Sequence, residues 1–495
     1  MSRAQEASPA GSPASGASAP PLDRATRLWY ALGQAAEGIK NESFALFLLF
    51  YYQQVLGLSG SLAGLAILIA LGFDAVTDPL MGTISDRTRG RLGRRHPYLF
   101  ASALPLGGFF YAVFAPPAGL SQPLLFGWML GFTVLTRAAM TLFHVPHLSL
   151  GAELSDDYNE RTLLVTERHM FQRAAAVVPG LVGLVILMAP TEAYPDGRFN
   201  PHAYPQFAVV ASLMMVLIVF ATAWKTRHRI PHLRPPGLED QAPLLGALWR
   251  DVRELFRLPS FRALFGGQAI SSIGWGVLIT LGLHMATFFW KVEREDLFIW
   301  GIGAGVGLFA GFGYWNAATA RTDKKPVFIR GLLVFLLFAV PPPVLRVIGW
   351  WPAEDHMLYV PLWVLLTGTC AHFGVASIMV TGQSMTADLV DEDEWLHGRR
   401  REGIFFGASS FVGKLTFGGG AQIAGWVVDG VGLEPGSNPA AVSAAVVRDL
   451  GLTQAAVLTG IIGLSILVFQ RYRLTRERHA EIRRLLDERA AGAAH

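Results

Sequence analysis

Twelve apolar stretches divide this chain, and they limit its fold more than any other feature. A bilayer core is ~30 Å thick, and a helix of about 20 residues crosses it. Spans of that kind fall at 28–56, 61–86, 97–115, 121–151, 165–190 and 205–225. After a polar stretch they resume at 261–290, 297–320, 326–345, 357–389, 403–429 and 451–470. Only 16% of the 495 residues are charged and 52% are hydrophobic, whereas an average soluble domain is ~25% charged. A soluble fold is excluded. An all-α membrane protein with twelve transmembrane helices is expected.

The ends of the chain read differently. Residues 1–22 are mostly Ala, Ser, Pro and Gly, which predicts a disordered tail and not a signal peptide. The tail extends to about residue 26, and a basic C-terminal tail covers 472–495. The single cysteine, Cys370, has no partner for an internal disulfide and says nothing of redox compartment.

Orientation follows from the basic residues, which concentrate in cytoplasmic connections. With the N-terminus inside, the cytoplasmic segments hold 30 of the 41 Lys and Arg. The opposite side holds 5: Arg198, Lys291, Arg294, Arg346 and Arg448. The other 6 lie within the spans: Lys40, Arg137, Arg168, Arg173, Arg330 and Lys414. Both termini are therefore expected in the cytoplasm, with the protein in a bacterial inner membrane.

The chain also repeats itself. SDRTRGRLGRRHPYLF (85–100) and ARTDKKPVF (320–328) are basic turns ending in Pro and an aromatic. GAELSDDYNER (151–161) and TADLVDEDEW (386–395) each carry Ala, an acid, Leu, one residue and Asp. Each pair is six spans apart, which predicts two six-helix halves, 27–225 and 261–471, related as parallel repeats. The linker 226–260 joins them. Within it, 242–256 sets Leu244, Leu245, Leu248, Val252 and Leu255 on one side. That pattern fits a helix lying on the membrane surface, or else a solvated spacer.

Charges inside a bilayer are costly and mark cavities or partners. Asp74 and Asp78 are four residues apart in span 2 and so share one helix face. Two carboxylates there offer hard oxygens for Na⁺ or a proton-binding pair; otherwise they pair with a cation such as Lys414. Thr77 is a further oxygen donor, and Pro79 frees a backbone carbonyl. Lys414, in FVGKLTFGGG, needs a carboxylate or a cavity, and is expected to face Asp74 and Asp78.

The order of these elements resembles the glycoside–pentoside–hexuronide:cation symporters, the melibiose-carrier family of the major facilitator superfamily. DAVTDPLMGTISDRTRGRLGRRHP, FHVPHLSLGAEL and TADLVDEDEW carry the resemblance, over about 27–470. It implies a major facilitator fold and alternating-access transport driven by Na⁺ or H⁺, with no other cofactor. Asp74, Asp78, Thr77 and Thr141 are the expected cation ligands, and no other metal site is expected. The family's substrate-contacting arginine and its lysine match Arg168 and Lys414. Two sugar-binding side chains of the melibiose carrier are replaced, by His144 and Leu148. The acid of its first span falls near Gly38, with Glu37, Lys40 and Glu42 close by. His144 and Glu42 join the expected substrate site. Arg137 either pairs with Glu42 or binds an anionic group. His284, His372 and Trp128 are read as packing.

Asp86, Arg87, Arg94 and Arg95 approximate the superfamily's loop after span 2. With Asp388, Asp391 and Arg400 they are the expected cytoplasmic gate, or else they only fix topology. The substrate is expected to be a sugar or glycoside, handled by a monomer in contact with membrane lipid and no nucleic acid. A lysolipid or other amphiphile is the second reading, because Phe-His-Val-Pro (143–146) also resembles the vertebrate sodium–lysolipid symporters. A membrane enzyme is a distant third, since no nucleotide loop, metal cluster or nucleophilic triad is apparent.

Overall fold

A computed structural model describes residues 22–155, 157–233, 254–398 and 401–493. Those residues form helices and connections and contain no strand. In chain order the helices are α1 (Arg24–Phe50), α2 (Gly60–Arg87), α3 (His96–Phe114), α4 (Gln122–Leu154), α5 (Tyr158–Ala175) and α6 (Ala203–Thr226). Then follow α7 (Pro259–His284), α8 (Arg294–Arg321), α9 (Lys324–Ala339), α10 (Tyr359–His397), α11 (Glu402–Gly430), α12 (Ala444–Phe469) and α13 (Arg476–Ala493). Several continue as wider turns, at Tyr51–Val55, Pro179–Leu187 and Met285–Phe289. The amphipathic segment expected at 242–256 lies almost wholly outside the described residues, as do Arg400 and most of the N-terminal tail.

Ten helices among the described residues are long and apolar enough to cross a membrane. The other two expected spans form helices α1 and α11, which are long enough but more polar. They carry Glu37, Lys40, Glu42 and Lys414 in their bodies.

Local chemistry sets the helix ends. The side chain of Asp23 accepts from the Thr26 amide (3.1 Å), Ser59 from Leu62 (3.3 Å) and Asp157 from Glu160 (2.8 Å), each filling a donor that the first turn leaves open. Gly398 ends α10 at φ 67°, a left-handed conformation that glycine adopts without strain.

Packing links α1 to α5 and α6, and α3 to α4 and α6; α7 meets α11 and α12, and α10 meets α8 and α9. The longest seam between the halves joins α2 and α11. Small residues make it close. A Cβ on Gly425 would stand 2.1 Å from the Gly60 carbonyl oxygen, and one on Gly64 would stand 2.8 Å from that of Ala421. Near-contact of backbones through small residues is how helices associate where lipid removes the hydrophobic drive. At the end of the seam, Asp429 accepts from the Gly60 and Ser61 amides, both at 2.7 Å.

A second junction lies at that same end, opposite both termini. Gln53 of the first half donates to the Leu433 carbonyl (3.0 Å), and His284 meets Gln53 Oε1 at 3.1 Å. Phe50 and Phe199 pack their rings on Phe288.

The internal repeat has a structural counterpart. Glu153, at the exit of α4, takes Arg94 (2.9 Å) and Arg95 (2.8 Å) from the connection after α2. Asp388, at the matching place in α10, takes Lys324 from the connection after α8 (2.7 Å). Each half ties its basic turn to its own acidic exit.

Candidate functional site: a charge cluster at the middle of α2

The cluster forms where α2, α4 and α11 converge. Asp74 and Asp78 occupy one face of α2, one turn apart. From α4, Thr141 donates to both carboxylates, at 3.0 Å to Asp74 and 2.9 Å to Asp78. Arg137 of α4, one turn earlier, places Nη1 3.1 Å from Asp74 Oδ2. Lys414 of α11 lies 3.1 Å from the same oxygen and bonds Asp78 Oδ2 directly. Asp74 is 6% exposed and Arg137 7%, so their charges are largely withdrawn from water. A buried ion pair persists only where each partner is matched, and here each carboxylate has at least two donors.

Of the four expected cation ligands, the structure brings Asp74, Asp78 and Thr141 together. Thr77 is not among them, because its hydroxyl donates to the Asp74 backbone carbonyl in its own helix (3.4 Å). The alternative pairing of Asp78 with Lys414 is present.

One turn further along α4, His144 Nδ1 bonds the Glu37 carboxylate of α1. Gln34 donates to the same carboxylate (3.1 Å) and Asn41 to its other oxygen (3.1 Å). Lys40, 2% exposed, lies within electrostatic reach of Glu37 and Asp74. Arg168 of α5 lies within electrostatic reach of Tyr30, and its Nε is buried with no hydrogen bond.

Two expectations need correction. Arg137 pairs with Asp74 and not with Glu42. Glu42 does not join His144. It lines a separate cavity of about 110 Å³ with Trp290, Trp300 and Trp363. The reason is helical phase. Residue 42 follows Glu37 by five positions, which turns it about 140° away. Lys40 and Asn41 follow at three and four, on Glu37's side.

The main cavity, about 390 Å³, is lined chiefly by α7, α10 and α11, with Gln268, Trp275, Gln383 and Thr386 in its wall. Arg173 of α5 reaches it from the first half. Sequence reasoning counted Arg173 among the intramembrane cations but gave it no role. Val412 and Gly413 line this cavity, and Lys414 is next along α11. One helix thus touches both the cavity and the carboxylates. His284, His372 and Trp128 bond Gln53, the Gly368 carbonyl and the Ala112 carbonyl.

The expected gate residues sit at the end where the termini lie. Asp86 meets Arg95 at 2.5 Å, and Arg94 meets Glu153. Arg87 closes α2. Asp388 and Asp391 are met by His479 of α13, at 3.6 and 3.0 Å. Residues 399 and 400 lie outside the described residues. Arg401 grips Asp393 (2.6 Å) and Glu254 (2.8 Å). The Asp393 carboxylate holds that guanidinium above its ordinary range.

The family model described as "MFS/sugar transport protein" matches residues 29–476. The chain is 24% identical to the inner membrane symporter YicJ of Escherichia coli, over 81% of this chain and 82% of that one. It is 26% identical to the isoprimeverose transporter of Lactiplantibacillus pentosus, over 86% and 84%. It is 22% identical to the sodium-dependent lysophosphatidylcholine symporter 1 of Gallus gallus, over 94% and 90%. In fold it is similar to a bacterial homolog of the human lysosomal transporter Spinster in an inward-facing, unoccupied conformation. That likeness has a TM-score of 0.64 at 14% identity and covers 91% of this chain and 98% of the other. A match over nearly the whole chain makes the protein a transporter and not an enzyme: it belongs to the MFS/sugar transport family, among the glycoside–pentoside–hexuronide:cation symporters.

Proposed function

We propose that this protein carries a sugar or glycoside inward across a bacterial inner membrane, driven by a cation gradient. It acts as a monomer of twelve spans in two six-helix halves, 27–225 and 261–471, with both termini in the cytoplasm. It uses no cofactor beyond the coupling ion. One observation carries the reading: Asp74 and Asp78 of the first half are met by Lys414 of the second, on the helix that also walls the main cavity. A change of charge in or beside this cluster alters the pull on α11, and α11 moves the cavity wall. Cation and substrate then raise each other's affinity by one common factor. With the cytoplasmic termini as the inner end, the junction at Gln53 and Leu433 closes the outer end, and this is an inward-facing state.

Isoprimeverose uptake into proteoliposomes tests the reading. Accumulation under an imposed Na⁺ or H⁺ gradient is expected. An Asp74→Asn plus Asp78→Asn protein should lose accumulation while retaining exchange at equal concentrations. Unchanged accumulation in that variant would overturn the assignment.

A second reading rests on the cavities. The smaller one, walled by Trp290, Trp300 and Trp363, adjoins the main cavity at Phe335, so the two are neighbouring and largely apolar chambers. That arrangement suits an amphiphile with a polar head, such as a lysolipid. Competition between isoprimeverose and a lysophospholipid in the uptake assay separates the two.

A further inference from the structure

The cluster on α2 is already neutralised before any ion arrives. Two carboxylates, Asp74 and Asp78, face Arg137 and Lys414 at bonding distance, with Lys40 in electrostatic reach of Asp74. Na⁺ is held by oxygens whose negative charge is available to it. A metal ion arriving here would be the third or fourth positive charge beside two negative ones. Lys414 is 26% exposed along its side chain and has a cavity beside it into which to swing. Arg137 has no such freedom. It is 7% exposed, its Nε is buried, and its guanidinium lies over the Phe44 ring at 5.7 Å. It stays on Asp74.

The neighbouring pair is of another kind. Glu37 and His144 form one acid–base couple, bonded directly and polled by the Gln34 and Asn41 amides. Histidine is the side-chain type suited to exchange a proton near neutral pH. The groups around it are named by element. From α1 come Glu37, Lys40 and Tyr30; from α4, His147; and from α5, Arg168 and His169. The couple is partly open, at 21% and 15% side-chain exposure, so water can deliver a proton to it.

We infer that the coupling ion is H⁺: Arg137 holds, as a tethered guanidinium, the charge position of a metal cation at Asp74, and the Glu37–His144 couple binds and releases the proton. The inference rests on the symporter reading above and deepens it. In each cycle one proton adds to the His144 imidazole with substrate from one side and leaves to water on the other. No other bond is made or broken.

The test uses full-length protein in nanodiscs. NaCl is titrated against choline chloride at constant ionic strength, read by intrinsic tryptophan fluorescence and by calorimetry. The wild type is expected to give no saturable Na⁺ signal. Arg137→Ala, and Arg137→Gln where the alanine variant does not fold, should gain one, because the fixed positive charge leaves Asp74 and the partly exposed Lys414 can swing aside. Saturable Na⁺ binding by the wild type would overturn the inference. In parallel, the unfolding temperature is followed from about pH 5 to pH 8, the range over which histidine titrates. A one-proton step is expected in the wild type and lost in both His144→Gln and Glu37→Gln; a step unchanged in those variants overturns the proton site. Isoprimeverose uptake is a separate arm. Failure of uptake under every gradient counts against the substrate reading, and the Na⁺ titration still decides the coupling ion.

Discussion

Lys414 of α11 reaches across the interface between the halves to Asp74 of α2, Nζ to Oδ2 3.1 Å. It bonds Asp78 as well. Removing one partner of a buried ion pair costs about 3–5 kcal/mol, mostly from the charge left behind. Lys414→Met should therefore lower stability by about 3 kcal/mol, less whatever the remaining Arg137 recovers. Adding Asp78→Asn to Lys414→Met should restore much of the loss. Thermal unfolding in detergent, compared across the two variants, checks both.

The turn-to-exit pairs make a second prediction. Lys324 and Asp388 meet at 2.7 Å. A double-mutant cycle with Lys324→Gln and Asp388→Asn should give a coupling of about 1 kcal/mol. Exchanging the two charges should recover most of it. A coupling near zero would mean that the pair only marks topology.

The seam of small residues is intolerant of bulk. A Cβ at Gly425 would lie 2.1 Å from the Gly60 carbonyl oxygen, and backbone cannot swing aside as a side chain can. Gly425→Ala should cost about 1–3 kcal/mol, the usual penalty of overpacking. Ala substitution at Gly430, where nothing lies within 4 Å, should be close to neutral. Unfolding temperatures of the two variants give the comparison.

The start of α1 has a pH dependence of defined sign. The Thr26 hydroxyl bonded to Asp23 holds this carboxyl below its ordinary range. A depressed carboxyl contributes stability above its unfolded value and loses it as the pH falls through the folded one. Hydrogen exchange at the first turn of α1 should be slow at neutral pH and speed up in acid. Asp23→Ala should be fast throughout.

Much of this was readable from the residues alone. Asp74 and Asp78 share a face by spacing, and Lys414 has too few apolar alternatives to be anything but partnered. Most span boundaries agree with the helix ends to within four residues, but α5 and α12 begin seven residues before the expected spans and α10 ends eight residues beyond its own. What the sequence hid depends on how helices cross. That Arg137 meets Asp74 follows from the approach of α4 to α2, which no local pattern records. The choice of Glu37 over Glu42 was available from helical phase, since only Glu37 shares a side with Lys40 and Asn41. Thr77 has the right chemistry, but its hydroxyl bonds the Asp74 backbone carbonyl one turn back. His479 was hidden for another reason: the basic tail reads as a solvated charge run, and only its docking on α10 shows that it answers Asp388 and Asp391.

The α2–α11 seam also bears on how the molecule moves. Interlocked side chains would have to leave their rotamers before one helix could turn on another. Backbones touching through Gly60, Gly64, Gly418 and Gly425 have little to disengage. Between the Lys414 bridge and the Asp429 hydrogen bonds, the seam is expected to serve as a bearing, with little but backbone to slide.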